Sequence, residues 1–384
     1  MEGRDSRKAD TGGIRWPNLV PRDPRVPAAR QLSTRRQLLI GTLATGAAIA
    51  GGATLAACGQ SPRTNIQADT PISSAPLPPP ETTTVRIVNP VECDPAIWVA
   101  RDSLLRDEGF TDVRYVDTQF TLRDWINKDL ADVATAHPEF IVGSLDAGLP
   151  ITMLTGLHSG CLEVWAKPGI TSIGQLRGKR ISIRVADMSD HFYAFFATLL
   201  GYVRIDAHKD VQFVETGVES YAAMLAAFID GRADAVLAGA AAGPYLRSLH
   251  IPGNVIFDQA VQKPWSSYLC CTLVANRTWA ERYPIAAKRV TRAILAATDA
   301  AARDHTAAAH AFFVGEQGQK SESITMQTMA MCNYNWRDYE PEDTLRFFAL
   351  RLNAAGLIKS TPQQLIDRGT SLAYMRQLRT ELKS

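Results

Sequence analysis

The chain has 384 residues, of which 41 are Lys or Arg and 39 are Asp or Glu, for a formal charge of +2. Residues 1–57 hold nine Lys/Arg and four Asp/Glu, a charge of +5, which leaves −3 on the other 327 residues. That balance gives no sign of a nucleic-acid surface, which would need a clustered basic face, and 327 residues suffice for two domains of ordinary size.

In chain order, the first feature is an export signal over 1–57. Arg35-Arg36 stand before an apolar run, 38–57, that has no charge, and Leu55-Ala56-Ala57-Cys58 closes it. A basic head, an apolar stretch and a small-residue cleavage box mark a targeting segment rather than structure. Twin arginines point to the route that moves folded protein. Cysteine directly after the box is what lipid attachment requires, so Cys58 is expected to become the lipidated first residue. The run is also long enough to span a bilayer as an uncleaved anchor; its many Gly, Ala and Thr favour cleavage. Residues 58–83, rich in Pro, Ser and Thr and ending in Pro78-Pro79-Pro80, read as a lipid-anchored flexible linker.

From residue 84 the chain reads twice in the same order. Val85-Arg86-Ile87-Val88 is a strand, followed by a helix from Asp94-Pro95 that ends at Gly109. Then come a strand at 113–118, a helix around 122–128 and a strand at Asp132-Val133-Ala134. The second pass has a strand at 181–185, a helix capped by Ser189 and ended by Gly201, a strand at 211–216, a helix over 219–229, and Ala233-Asp234-Ala235-Val236. Strands alternating with helices imply right-handed βαβ units in two α/β lobes. Ligands of open α/β sheets bind beyond the carboxyl ends of the strands. This places 90–94, 118–121 and 137–139 on one wall of a cleft, and 186–191, 216–218 and 238–240 on the other.

Five cysteines follow Cys58: Cys93, Cys161, Cys270, Cys271 and Cys332. None shows CxxC or metal-ligand spacing, so no metal is expected. Cys270-Cys271 would point to opposite faces of a strand. Buried free thiols are one reading and a single disulfide the other.

Three segments carry a family resemblance: 169–180 (Gly-Ile-Thr-Ser-Ile-Gly-Gln-Leu-Arg-Gly-Lys-Arg), Asp230-Gly231-Arg232-Ala233-Asp234-Ala235, and Leu273-Val274-Ala275-Asn276-Arg277 followed by Tyr283-Pro284 and a long helix. With these the chain resembles the periplasmic solute-binding proteins of ABC importers, in the group for nitrate, sulfonates, taurine and thiamine-precursor pyrimidines. The resemblance implies an α/β, two-lobed periplasmic-binding-protein fold of type II, each lobe a mainly parallel sheet flanked by helices, with the ligand cleft between lobes. Lobe 1 would take 84–166 plus 273–384 and lobe 2 169–268, with crossovers near 167–168 and 269–272. It further implies hinge closure on a small solute, an ABC permease and ATPase as partners, a monomer, and no cofactor or catalysis.

Binding needs hydrogen-bonding groups, helix N-termini and aromatic walls. Candidate contacts are Glu92, Asp94, His137, Pro138 and Glu139 on the first wall, and Asp187, Ser189, His191 and Gly239 on the second. His158 near the first crossover and Trp265 near the second complete the set. Helix starts near Asp94 and Ser189 would aim free N–H groups at an anion. The acids Glu92, Asp94 and Glu139 instead suit a zwitterion, an amine or a neutral heterocycle. Each has a plainer reading: Asp94 as a helix cap, His137 as a surface loop histidine, Trp265 as hinge filler. Two other roles stay open, a sensory or partner lipoprotein and an enzyme on the same scaffold. The sequence holds no Gly-x-Ser-x-Gly elbow, HExxH or phosphate loop to support the latter.

Overall fold

A computed structural model describes residues 77–382 apart from 102, 117–121, 218–220 and 319. Arg35, Arg36, Cys58 and the linker up to residue 76 lie outside the described residues, as do the wall loop 118–121 and Val218. No helix among the described residues is long and apolar enough to cross a membrane.

Eleven strands are described: β1 Thr84–Val88, β2 Asp112–Val116, β3 Val133–Ala136, β4 Ile151–Gly160, β5 Leu162–Ala166, β6 Arg180–Ile183, β7 Gln212–Glu215, β8 Ala235–Gly239, β9 Asn254–Asp258, β10 Cys271–Asn276 and β11 Cys332–Asn333. They form two sheets, β11-β4-β10-β3-β1-β2 and β7-β6-β8-β5-β9. Both sheets are mixed. Strands β1, β2 and β3 pair in parallel, as do β6, β7 and β8, but β10 runs antiparallel to β3 and β4, and β5 antiparallel to β8 and β9. The βαβ pattern legible in the sequence produces the parallel half. The antiparallel strands are those by which the chain arrives from the other sheet.

The duplication has a physical signature. Asp132 receives the Arg86 backbone N–H at 2.7 Å and its guanidinium, while its own N–H donates to the Arg86 carbonyl. Asp234 does the same with Arg180, whose N–H donates at 2.9 Å. In each sheet the aspartate stands just before the last strand of the parallel trio, β3 or β8. It ties that strand to β1 or β6, respectively, through charge-assisted hydrogen bonds.

The chain leaves the first sheet at 160–162, between β4 and β5, earlier than the expected 167–168, so that β5 belongs wholly to the second sheet. The bend requires left-handed backbone at Gly160 (φ 86°) and at Cys161 (φ 77°). Glycine adopts this region freely, whereas for cysteine it is strained. The return runs through 259–270 into β10. Helix Pro341–Ala354 packs on helix Pro138–Asp146 of the first lobe and on helix His191–Tyr202 of the second. Trp265 lies at this junction, 3% exposed, edge-on to Phe347 at 5.1 Å and to Phe257 at 5.6 Å. It fills the hinge and offers the cleft no face. The long helix Pro284–Arg303 packs with the first lobe, its first free N–H groups taken by the Glu81 carboxylate.

Candidate functional site

The carboxyl ends of β1 and β3 and the loop after β6 converge, as an open α/β sheet directs. Helix Pro138–Asp146 starts at the end of β3, with His137 at its cap position and Pro138 in its first turn. Helix His191–Tyr202 starts in the second lobe. The two meet through their first residues. The His137 and His191 rings stack at 3.9 Å with an interplanar angle of 10°. Glu139, 1% exposed, is hydrogen-bonded through Oε1 to His191 Nδ1 at 2.6 Å. Glu139 Oε2 is buried without a partner among the described residues. Burial pushes the Glu139 carboxyl up to about 7 and both imidazoles down to about 4. These groups form a latch between the lobes, and burial favours their uncharged forms.

Behind the latch lies sulfur. Cys270 Sγ is 3.5 Å from His137 Nδ1, 2.7 Å from Cys161 Sγ and 4.0 Å from Cys271 Sγ. Cys271 Sγ is 3.9 Å from Cys93 Sγ. Asp94 follows Cys93, and its Oδ1 is 3.0 Å from His158 Nε2. His158 Nδ1 faces the Ser159 carbonyl at 3.3 Å. Burial opposes charge on His158, but Cys332 and the Asp94 carboxylate raise it well above the ordinary histidine value. The Cys93 thiol is drawn well below the ordinary thiol range, chiefly by hydrogen bonding with Cys161 and Cys271. Cys93, Cys161, Cys270 and Cys271 are all at most 1% exposed, and all the cysteines of the described residues are free thiols. Among the described residues three groups have ligand atoms mutually close enough to hold one ion: Cys93, Asp94, His158 and Cys271; His137, Cys270 and Cys271; and the latch residues His137, Glu139 and His191.

Several expected contacts stand differently. Glu92 pairs with Lys320 at 3.0 Å. Asp94 caps no helix with its side chain: the helix after it is a short turn, Ala96–Val99, preceded by Pro95, and the expected run to Gly109 is broken in two. Ser189 is exposed, and the helix cap is Asp190, whose carboxylate accepts the Tyr193 N–H. With Glu139 Oε1 on His191, each acid of the first wall has a partner, while Glu139 Oε2 stays unpaired among the described residues. Asp187 and Ser189 line a groove of about 380 Å³ at the mouth between the lobes, with Arg123, Phe140 and Ser144. Gly239 ends β8 and donates its N–H to the Tyr221 hydroxyl. Cys270 and Cys271 do not take opposite faces, because Cys270 precedes β10 and the register shifts just after Cys271. The sequence does not show the cysteines as a set because they reach the cluster from four segments: the loop after β1, the crossover, the two residues at the start of β10, and β11. Only the fold joins them.

The architecture defines the chain as a protein of periplasmic-binding-protein fold. Among solved structures it is similar to the periplasmic nitrate-binding protein NrtA from Synechocystis PCC 6803 (TM-score 0.66, 12% identity, 80% of this chain and 90% of that one). It is similar also to the alkanesulfonate-binding protein SsuA from Xanthomonas axonopodis pv. citri bound to MOPS (0.60, 14%, 76% and 99%). A third is the ligand-binding component of an ABC-type import system from Staphylococcus aureus with zinc bound (0.61, 14%, 77% and 98%). Residues 112–308, just over half of the chain, match the NMT1/THI5 like family, and the chain belongs to it. No curated protein matches the chain.

Proposed function

We propose that the chain is the solute-binding component of an ABC-type importer, exported and held at the membrane by lipid on Cys58. It captures a small solute between its lobes and presents the closed form to a permease and its ATPase. The observation that carries this reading is the interlobe latch of His137, Glu139 and His191 at the strand ends where an open α/β fold takes its ligand. The family and the fold agree with it. Glu92, Asp94 and Glu139 each have a partner within the chain, and the solute class is taken up below.

The test is a thermal-shift and small-angle-scattering screen of the purified full-length chain. The panel holds sulfonates, taurine, nitrate, bicarbonate, pyrimidines, polyamines, amino acids and metal ions. A true ligand at a hundred times its dissociation constant adds about 2.7 kcal/mol of stability and compacts the chain. Folded protein that neither stabilises nor compacts with any of them sinks the reading. Membrane fractionation tests the anchor: Cys58→Ala should release the chain.

One observation favours a second reading. Cys93 beside the His158–Asp94 pair has the composition of a thiol nucleophile with an oriented base. An enzyme of that kind would lose turnover with Cys93→Ser while keeping its affinity for substrate.

A further inference from the structure

Four thiols, those of Cys93, Cys161, Cys270 and Cys271, are buried at the strand ends where an open α/β fold takes its ligand. We propose that the ligand of this cleft is a thiophilic metal ion. Cys93 and Cys271 would bind it with Asp94 and His158. On the other side of Cys271, Cys270 and His137 form an overlapping set. The inference rests on the cleft being the binding site of the proposed function and deepens it.

Three observations carry it. The first is size. A tetrahedral ion with metal–sulfur bonds of about 2.3 Å sets its sulfurs about 3.8 Å apart, and a sulfur and an imidazole nitrogen about 3.5 Å apart. Cys93–Cys271 and Cys270–Cys271 stand at 3.9 and 4.0 Å, and Cys270 Sγ–His137 Nδ1 at 3.5 Å. These spacings suit one ion and are too tight for an organic solute. The second is ligand type. Thiolate and imidazole select zinc or cuprous ion, whereas magnesium and calcium take oxygen. The third is placement. The ligands sit in the loop after β1, in β4 and at the start of β10, beside the interlobe latch to which His137 belongs, and Cys161 holds a strained left-handed backbone in the same cluster. An ion would enter only with the lobes apart and would be covered as they close. Each thiol that binds gives its proton to solvent.

The experiment uses the full-length chain, reduced under argon and stripped with chelator, then titrated with ZnCl2, with cuprous ion, or with MgCl2. Bound metal is counted by mass spectrometry after desalting against a competing chelator, and Co(II) serves as the spectroscopic stand-in. The expected result is at least one zinc or cuprous ion retained per chain, no magnesium retained, and an intense near-ultraviolet thiolate-to-cobalt band. Cys93→Ser and Cys271→Ser should weaken retention at least tenfold. Cys332→Ser, outside both ligand sets, should leave it unchanged. Should the serine variants misfold, alkylation of the unaltered chain mapped peptide by peptide decides, since metal must protect Cys93, Cys270 and Cys271. A folded, reduced chain that holds neither ion overturns the proposal. So does a Cys161–Cys270 disulfide in a chain whose Cys93 and Cys271 alkylate equally with and without metal. An organic solute that stabilises a chain holding no metal refutes the ion and spares the binding-protein reading. Metal held tightly without any compaction supports the site and removes the transport reading.

Discussion

Gly143→Ala separates a molecule that opens and closes from a rigid one. Gly143 lies inside helix Pro138–Asp146 of the first lobe, and a Cβ there would come 2.8 Å from the Met188 carbonyl oxygen of the second. Carbon–oxygen contacts settle at roughly 3.3–3.6 Å, so the lobes must part by half an ångström or more on that side. Within the helix, alanine is the better residue by about 1 kcal/mol. The substitution therefore stabilises the first lobe while penalising closure, by about 1–3 kcal/mol if the contact behaves as ordinary overpacking. At 1.4 kcal/mol per factor of ten, ligand affinity should fall about 5- to 150-fold. A ligand-free chain that rests open should melt slightly higher. Chelator competition reads the affinity for zinc or cuprous ion, and small-angle scattering reads the compaction. Unchanged affinity together with an unchanged scattering curve would refute the closing contact. A lower melting point with no change in compaction would show two lobes fixed against each other.

Three further outcomes follow from packing and charge. Asp132→Ala should cost about 3 kcal/mol in denaturant unfolding, because it strips a carboxylate 3% exposed from Arg86. Asp234→Ala should cost about 1 kcal/mol or less, since Asp234 and Arg180 keep 23% and 42% of their side-chain surface in water; equal costs would contradict the ranking. The Arg180 guanidinium holds the Asp234 carboxyl below its ordinary 3.8, so the pair's contribution is complete above that value and is lost as pH falls through the folded-state value. The stability gap between the unaltered chain and Asp234→Asn should therefore be flat at neutral pH and shrink in acid; a gap that grew in acid would reverse the sign. Trp265→Ala should cost about 3–5 kcal/mol by opening a cavity among Phe257, Phe347 and Phe348, and a loss below 1 kcal/mol would mean the hinge cluster collapses to fill it.

The parallel half of each sheet was legible because strand and helix periods alternate locally and the short-range signals agree. Asp132 and Asp234 were legible as equivalents from the matching Ala-Asp pairs before β3 and β8. The antiparallel strands were not, since β5 and β10 have the same apolar composition as the others and only tertiary pairing sets their direction. His137, Glu139 and His191 were placed at strand ends by the topology rule alone, but their stacking across the lobes depends on closure. The capping expectations for Asp94 and Ser189 failed for one physical reason: each has a near competitor. His158 takes the Asp94 carboxylate, and Asp190 has the better reach to the Tyr193 N–H. The thiol cluster was illegible because its members are up to 239 positions apart (93 to 332) and no local period links them.

The duplicated lobes also show where chemistry has displaced symmetry. At the N-terminal ends of β3 and β8 the two halves keep the same device, an aspartate bonded to the arginine of the neighbouring strand. At the carboxyl ends they part. β3 runs into His137-Pro138-Glu139, and β8 into Gly239-Ala240-Ala241. After β1 comes Cys93-Asp94, with the carboxylate turned to His158, while the loop after β6 ends in Asp190, which caps its own helix and pairs with Arg184 at 2.7 Å. The reactive groups thus collect on the first lobe and the crossovers, and the second lobe supplies mainly the cover, His191. In the proposed metal site, closure would add few ligands and act chiefly by removing water from those already assembled. On that division of labour His191→Ala should speed metal release from the cleft while leaving the stoichiometry at saturation unchanged, and stopped-flow chelation reads both. Loss of an equivalent of metal in that variant would place His191 among the ligands instead.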